Sequence, residues 1–526
     1  MMSKPEALAN TKAGKLRGTY IDGIFRFLGV HYAAAPTGKL RFLPPQPLVP
    51  WKGEKLAQEM VPKCYQTDEP RMEDKEITGT KYYAANMKLL TGSSEMGVDP
   101  QTEDCLALNL WTAGLKDDRK RPVLVWFHGG GNIGGDAGAN WHDGYNLAKK
   151  QDVVVVNVGH RLNVFGYLYL AGFGVEKYKD SVNMGNQDMA AALQWVHDNI
   201  DEFGGDPQNV TIFGQSGGAE KVVSLMGIPA AKGLFHKAII QSGGFQLFPV
   251  EDAIEATRQF LEFLHIDSDH LDDLQSIPAP ELVAAMREIN KTRTRGTYLR
   301  FPIIGDDKVI KYNPFDGAEG TQFNKDVTII AGYCKDDTRL FSLANPSYYD
   351  YTFDELPERI EKYGYTAKEA KKVVKIYKDM LGDPSACDVF IAFLNDNRFL
   401  NMMDSWYKAR AKVGCAPMYN YVFCFEGPDP DLKAIHGVDV PFFFDTAVYA
   451  PGIWTVDTRV DAMELSEKAG AAWAAFARTG NPSTPYFPAW KPYDDVNRYS
   501  MLIDVESKLV SDYRKEGREV IFHIGL

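Results

Sequence analysis

The chain has 526 residues, 45% hydrophobic and 24% charged, with a formal net charge of -12 and a pI near 5.4, which supplies enough apolar material for a large buried core. An acidic balance excludes a nucleic-acid footprint, which needs a basic face to release counterions. The longest apolar runs, such as Val153 to Val156 and Val123 to Phe127, are far too short to span a bilayer, so no membrane partner is expected.

In chain order, the first sixteen residues contain neither an apolar core nor a small-residue cleavage site. A cytoplasmic location is therefore expected, or a secreted one if a leader has been removed. Lys15 to Thr19, Ile24 to Val30, Leu106 to Trp111 and Leu124 to Phe127 are β-rich runs separated by Gly, Pro and Asp, and they predict strands. Directly after the fourth comes His128-Gly129-Gly130-Gly131. Consecutive glycines can serve as a flexible loop, or they let backbone N–H groups approach an oxygen with no Cβ in the way. Val153 to Val158 reads as a strand buried on both faces. Asp188 to Phe203 has helical periodicity through Ala192, Leu193, Val196 and Ile200.

Val210 to Phe213 is a further buried strand, and it runs into Gly214-Gln215-Ser216-Gly217-Gly218 at a helix start. The pattern G-x-S-x-G alone is common. Between a strand and a helix it forces the serine into a strained turn where only small neighbours fit, with Oγ exposed at a helix N-terminus. The other meaning of such a turn, a phosphate-binding loop, lacks its lysine here. A serine needs a base to act as nucleophile and donors to hold the oxyanion. The donors assigned are the N–H groups of Gly130, Gly131 and Gly217. Ala238 to Gln241, Val327 to Ala331 and Met418 to Phe425 predict more strands, Leu465 to Arg478 a helix, and Glu519 to Ile524 a late strand. Residues 250–300 and 345–412 read as charged amphipathic helices, insertions packed over the strand ends. Within the second, Lys368, Lys371, Lys372, Lys375 and Lys378 form a solvated helix face. The alternation of strand and helix predicts a mainly parallel sheet covered on both sides, in one domain spanning 1–526.

These motifs carry a family resemblance. Glu103-Asp104-Cys105-Leu106 with Leu108-Asn109, Pro122 through Gly131, and Asp188 with Ala192-Leu193 and Trp195-Val196 resemble the type-B carboxylesterase family. Asn199-Ile200 with Phe203 through Pro207, Gln241-Ser242-Gly243 and Gly480-Asn481-Pro482 extend the match over nearly the whole chain. That family also contains the cholinesterases and neuroligin-like adhesion proteins, and the likeness here is to a carboxylesterase of bacterial type. It implies the α/β-hydrolase fold: a mainly parallel central sheet flanked by helices, with helical insertions over an active-site gorge. It also implies a two-step acyl transfer with no cofactor and no metal. The acid motif corresponds to Gly332 through Thr338, with Asp337 in the acid position and Asp336 its rival, and the base motif to Ile435-His436-Gly437. His142, His160, His197 and His236 are read as structural. Ser242 resembles a serine that orients the acid, or is a plain turn residue.

Departures from the family pattern bear on substrate choice. Gln215 stands where the family usually has Glu, Gly217 where it has Ala, Asn132 where it has an aromatic pocket wall, and His160 where it has Tyr. Of the six cysteines, Cys64 and Cys105 bracket a loop that relatives close with a disulfide; reduced thiols are expected here. That loop carries Tyr82 and Tyr83 but no Trp to hold quaternary ammonium, which argues against choline esters. The expected function is cleavage of uncharged or weakly polar carboxylic esters by Ser216, His436 and Asp337 on a small-molecule substrate. The alternatives are an amidase or carbamate hydrolase with the same triad, and a non-catalytic binding protein. The oligomeric state stays open and is compatible with a monomer.

Overall fold

The computed structural model describes residues 5–66, 100–244, 246–291, 293, 299–315, 317–342, 346–428, 430 and 433–521. Tyr82 and Tyr83 lie outside them. The described residues fall into two compact units, one comprising 5–66, 100–327 and 476–480, the other 328–475 and 481–521.

In the first unit, β1 (Thr19–Ile21), β2 (Ile24–His31), β3 (Ala107–Thr112), β4 (Arg121–Phe127), β5 (Val154–Val158), β6 (Gly205–Gln215) and β7 (Lys237–Gln241) lie in the order β1-β2-β3-β5-β4-β6-β7. The last four in that order are parallel; β1, β2 and β3 join antiparallel at the β5 edge. Every residue of β4 and β5 is buried. Their near-continuous Val and Leu runs are what a strand covered on both faces requires. The register pairs Gly214 of β6 with Phe127 of β4. The loops leaving these two neighbours therefore start side by side at the carboxyl ends of parallel strands, where α/β sheets carry their sites.

Helix α1 (Met184–Asn199) leads into β6 through a tight turn that ends at Gly204. Its apolar side, including Ala192, Leu193 and Val196, is fully buried, as the 3.6-residue spacing predicts. Buried Asp188 closes a two-pronged ion pair with buried Arg161, at 2.8 Å from Nε and 2.6 Å from Nη2. Opening such a pair from one side leaves a bare charge in the core, at a cost of about 3–5 kcal/mol. Helix α2 (Gly217–Met226) follows β6. Helices α3 (Val250–Phe263) and α4 (Ala279–Lys291) fill the first predicted excursion.

The second unit has β8 (Thr328–Cys334), β9 (Met418–Phe423) and β10 (Ser500–Ile503) in parallel, with β11 (Lys508–Val510) antiparallel on β10. Helices α5 (Ala367–Leu381), α6 (Ala386–Asn395) and α7 (Asn401–Lys412) form the second excursion. A capping box between Thr366 and Glu369 starts α5, meeting two orphan N–H groups at once. All five lysines of this helix are exposed, while Ala370, Val373, Val374 and Tyr377 are buried. Helix α8 (Arg459–Thr479) contains the predicted helix from Leu465 to Arg478.

One expectation fails. Residues from Glu519 do not begin a strand: they end helix α9 (Lys515–Ile521), and 522–524 lie outside the described residues. Val520 and Ile521 join the cluster of Ala370, Val373 and Tyr377. Packing on α5 rather than β propensity sets their conformation. No helix among the described residues is long and apolar enough to cross a membrane.

Candidate active site

β6 delivers Ser216 to the start of α2 with φ 57° and ψ -126°, a conformation that a non-glycine residue holds only when its surroundings over-determine it. Those surroundings are backbone packed on backbone. A Cβ on Gly218 would fall 2.1 Å from the carbonyl oxygen of Phe127, and one on Gly214 2.5 Å from Gly218. The Ser216 N–H donates to the Gln241 carbonyl at 2.9 Å. Its hydroxyl makes no capping bond to the helix, which leaves Oγ uncommitted to α2.

From the end of β4 the chain turns through His128-Gly129-Gly130-Gly131, with φ of 88° at Gly130 and 62° at Gly131. The Gly134 N–H donates to the Gly130 carbonyl at 3.1 Å. Gln66 pins the far end, donating through Nε2 to the Gly135 carbonyl at 2.9 Å and accepting from the Gly135 N–H at 2.7 Å. Asn132 accepts at its carbonyl from the Asn163 N–H at 2.6 Å; its side-chain Oδ1 is buried with no hydrogen-bond partner among the described residues. A Cβ on Gly217 would lie 2.3 Å from the Gly131 Cα. The alanine usual in the family therefore does not fit here, and glycine lets the two loops close up. Gly217 N–H belongs to the first turn of α2, which has no partner of its own within the helix. Among the described residues neither Gly130 nor Gly131 donates a backbone hydrogen bond.

Gln215 is buried, with its backbone oxygen and Oε1 against Gly129. Ser242, with φ 52°, has a buried hydroxyl with no hydrogen-bond partner among the described residues.

In the second unit β8 ends at Cys334. Asp337 folds back on it, its N–H donating to the Cys334 carbonyl at 3.0 Å and its Oδ2 accepting from the Cys334 N–H at 3.2 Å. The loop after β9 brings in His436, and the Asp336 N–H holds that loop by donating to the Ala434 carbonyl at 3.0 Å. His436 Nδ1 lies 2.7 Å from Asp337 Oδ1, with His436 8% and Asp337 0% exposed. The Asp336 carboxylate turns elsewhere, 3.9 Å from the Arg339 guanidinium. A carboxylate on Nδ1 fixes the tautomer that leaves Nε2 able to take a proton.

His128 and His160 are both buried, their rings stacked at 4.7 Å. Burial lowers the pKa of each well below the usual imidazole range, with Lys221 also acting on both. Burial likewise lowers His142 to about 4. Lys221 and Gln66 were not anticipated from the sequence. Gln66 carries no local signal, whereas Lys221 sits between Ala219 and Val222-Val223 on a helix start, a spacing that could have marked it as inward-facing. Cys64 and Cys105 are free and buried; their mutual hydrogen bond, then burial, pushes the Cys105 thiol up. No group of three or more His, Cys, Asp or Glu among the described residues could hold a metal.

A serine raised on a strand-to-helix elbow at the carboxyl end of a parallel sheet defines a hydrolase of the α/β-hydrolase fold. The model of the carboxylesterase family matches residues 5–520, and the chain belongs to that family. It is a carboxylic-ester hydrolase. It is 30% identical to a para-nitrobenzyl esterase of Bacillus subtilis (strain 168), over 98% of each chain. It is also 30% identical to a phenmedipham hydrolase of Pseudarthrobacter oxydans, over 94% of each. Among solved structures, a carboxylesterase of Geobacillus stearothermophilus superposes with a TM-score of 0.82 at 32% identity, covering 98% of this chain and 99% of its own.

Proposed function

We propose that Ser216, His436 and Asp337 form the catalytic triad of this esterase and that its substrates are uncharged or weakly polar carboxylic esters. The observation that carries the reading is the 2.7 Å contact between His436 and Asp337, 99 residues apart in sequence. It gives the imidazole the orientation and tautomer that a general base requires. His436 takes the Ser216 proton as Oγ attacks the ester carbonyl. The N–H groups of Gly130, Gly131 and Gly217 hold the oxyanion, each donor being worth about 2.7–4 kcal/mol in such sites. His436 then protonates the leaving alcohol, and water repeats the sequence on the acyl-enzyme. Asp337 steadies the imidazolium throughout. On this reading the chain acts as one catalytic domain, with helical insertions at 250–300 and 345–412.

Amide or carbamate hydrolysis by the same triad is the second reading. It is favoured by the buried, unpartnered Oδ1 of Asn132, an acceptor that would suit a substrate N–H. A cytoplasmic location belongs to the proposal as well: six cysteines in 526 residues are as sparse as a reducing compartment leads one to expect.

The test is turnover of p-nitrophenyl acetate beside p-nitroacetanilide and butyrylthiocholine by the full chain. Rapid release from the phenyl ester, with the other two slower by about a hundredfold or more, supports the ester reading. Faster anilide cleavage would move the activity to the amidase class, and no ester cleavage would remove the proposal.

A further inference from the structure

Under the glycine loop lies a cation with no carboxylate partner among the described residues. Lys221 is fully buried on α2, with Val222, Val223 and Leu225 of the same helix buried beside it. Its Nζ donates to the His128 carbonyl at 2.8 Å, and this is its one hydrogen bond among the described residues. His128 is the residue from which Gly129, Gly130 and Gly131 depart. Its ring stacks on that of His160, and each ring uses Nδ1 to donate to the carbonyl of the next residue, at 2.9 Å in both cases. Three titratable side chains, Lys221, His128 and His160, are thus packed beneath the donor loop.

Packing alone does not account for a lysine here. A buried ammonium without an anion destabilises a fold, and an apolar side chain of the same length would fill the space at no such cost. Glu220, its neighbour in sequence, acts on it through space. On α1, which packs against α2, Asp188 is already closed on Arg161. The facing rings of His128 and His160, and His142 near His128, are held neutral by burial.

We propose that Lys221 is a positioning residue for the oxyanion donors: its ammonium fixes the His128 peptide from below and raises the positive potential of the glycine N–H groups above it. Hydrogen-bonded peptides polarise one another in a low-dielectric interior. A charge at the base of the loop therefore strengthens donors aimed at an oxyanion without touching substrate. The proposal rests on the reading of Ser216 as nucleophile and of Gly130 and Gly131 as donors. Burial lowers the lysine to about 7, so the charge is present below neutrality and lost as pH rises. Activity should therefore fall on the alkaline side as Lys221 deprotonates.

The experiment compares kcat and KM for p-nitrophenyl acetate between pH 5.5 and 9.5 in the parent, Lys221→Met and Lys221→Arg, with Tm measured alongside. In Lys221→Met, kcat at pH 6.5 should fall about tenfold, less than for loss of a direct donor. KM should stay within about twofold, the alkaline limb should disappear, and Tm should hold or rise because a buried charge is gone. Lys221→Arg keeps its charge over the whole range and should restore most of the acid-side kcat with no alkaline limb. The proposal is overturned if Lys221→Met keeps the parent's kcat at pH 6.5, keeps the alkaline limb, or loses activity only in step with a lowered Tm. The Met variant decides alone if the bulkier Arg fails to fold. Failure of the underlying reading looks different, since hydrolysis would then survive in Ser216→Ala whatever Lys221 does.

Discussion

Ser216→Ala is expected to lower kcat for p-nitrophenyl acetate by about 10⁴-fold or more, with KM changed little. Removing the nucleophile takes away the covalent step, while the glycine donors and the binding surface remain and retain about 10³–10⁴ over the reaction in water. The fold should survive. The side chain is half-buried, makes no helix-capping bond, and alanine occupies less of the crowded turn than serine does. Steady-state kinetics with a Tm control distinguish a lost nucleophile from a lost fold, and equal rates in parent and variant would remove Ser216 from the mechanism.

Asp337→Asn is expected to cost about 10⁴ in kcat, and Asp336→Asn about twofold at most. The first exchanges the group 2.7 Å from His436 Nδ1 for an amide whose NH₂ favours the wrong imidazole tautomer, the mechanism behind losses of that size in serine hydrolases. The second touches the neighbouring carboxylate, which lies 3.9 Å from the Arg339 guanidinium and is not the one that orients the imidazole. The two residues are neighbours in one loop, so the pair of variants controls for general disturbance of that loop. Full activity in Asp337→Asn with loss in Asp336→Asn would reverse the assignment.

Much of this site was legible because its chemistry is local. The elbow needs a strand, small residues on both sides of Ser216 and a helix start, and all three are contiguous from Val210 to Met226. The Val153 to Val158 run likewise announced a strand buried on both faces, observed as Val154–Val158. The choice between Asp336 and Asp337 was not local. Family position favoured one, but only the path of the chain past β8 determines which carboxylate reaches the imidazole. Lys221 shows the opposite failure. In α5 a lysine within a helix means a wet face, and five of them are exposed; in α2 the same residue type turns inward beneath the glycine loop, because the helix is covered where it leaves the elbow. Val520 and Ile521 misled for a related reason. Their β-branched character suggested a strand, and the apolar face of α5 held them in a helix. The Ser500–Ile503 and Lys508–Val510 strands were missed because each is too short to show a period.

The central claim is that Ser216 is made nucleophilic by His436. It is tested most directly by reacting the chain with a fluorophosphonate ester and locating the adduct by peptide mass spectrometry. The account predicts one phosphonyl group per chain, on the peptide containing Ser216, with labelling slowed by about a hundredfold or more in His436→Gln, whose amide cannot take the proton. An adduct on another residue, or labelling of Ser216 at the same rate without the imidazole, would contradict it.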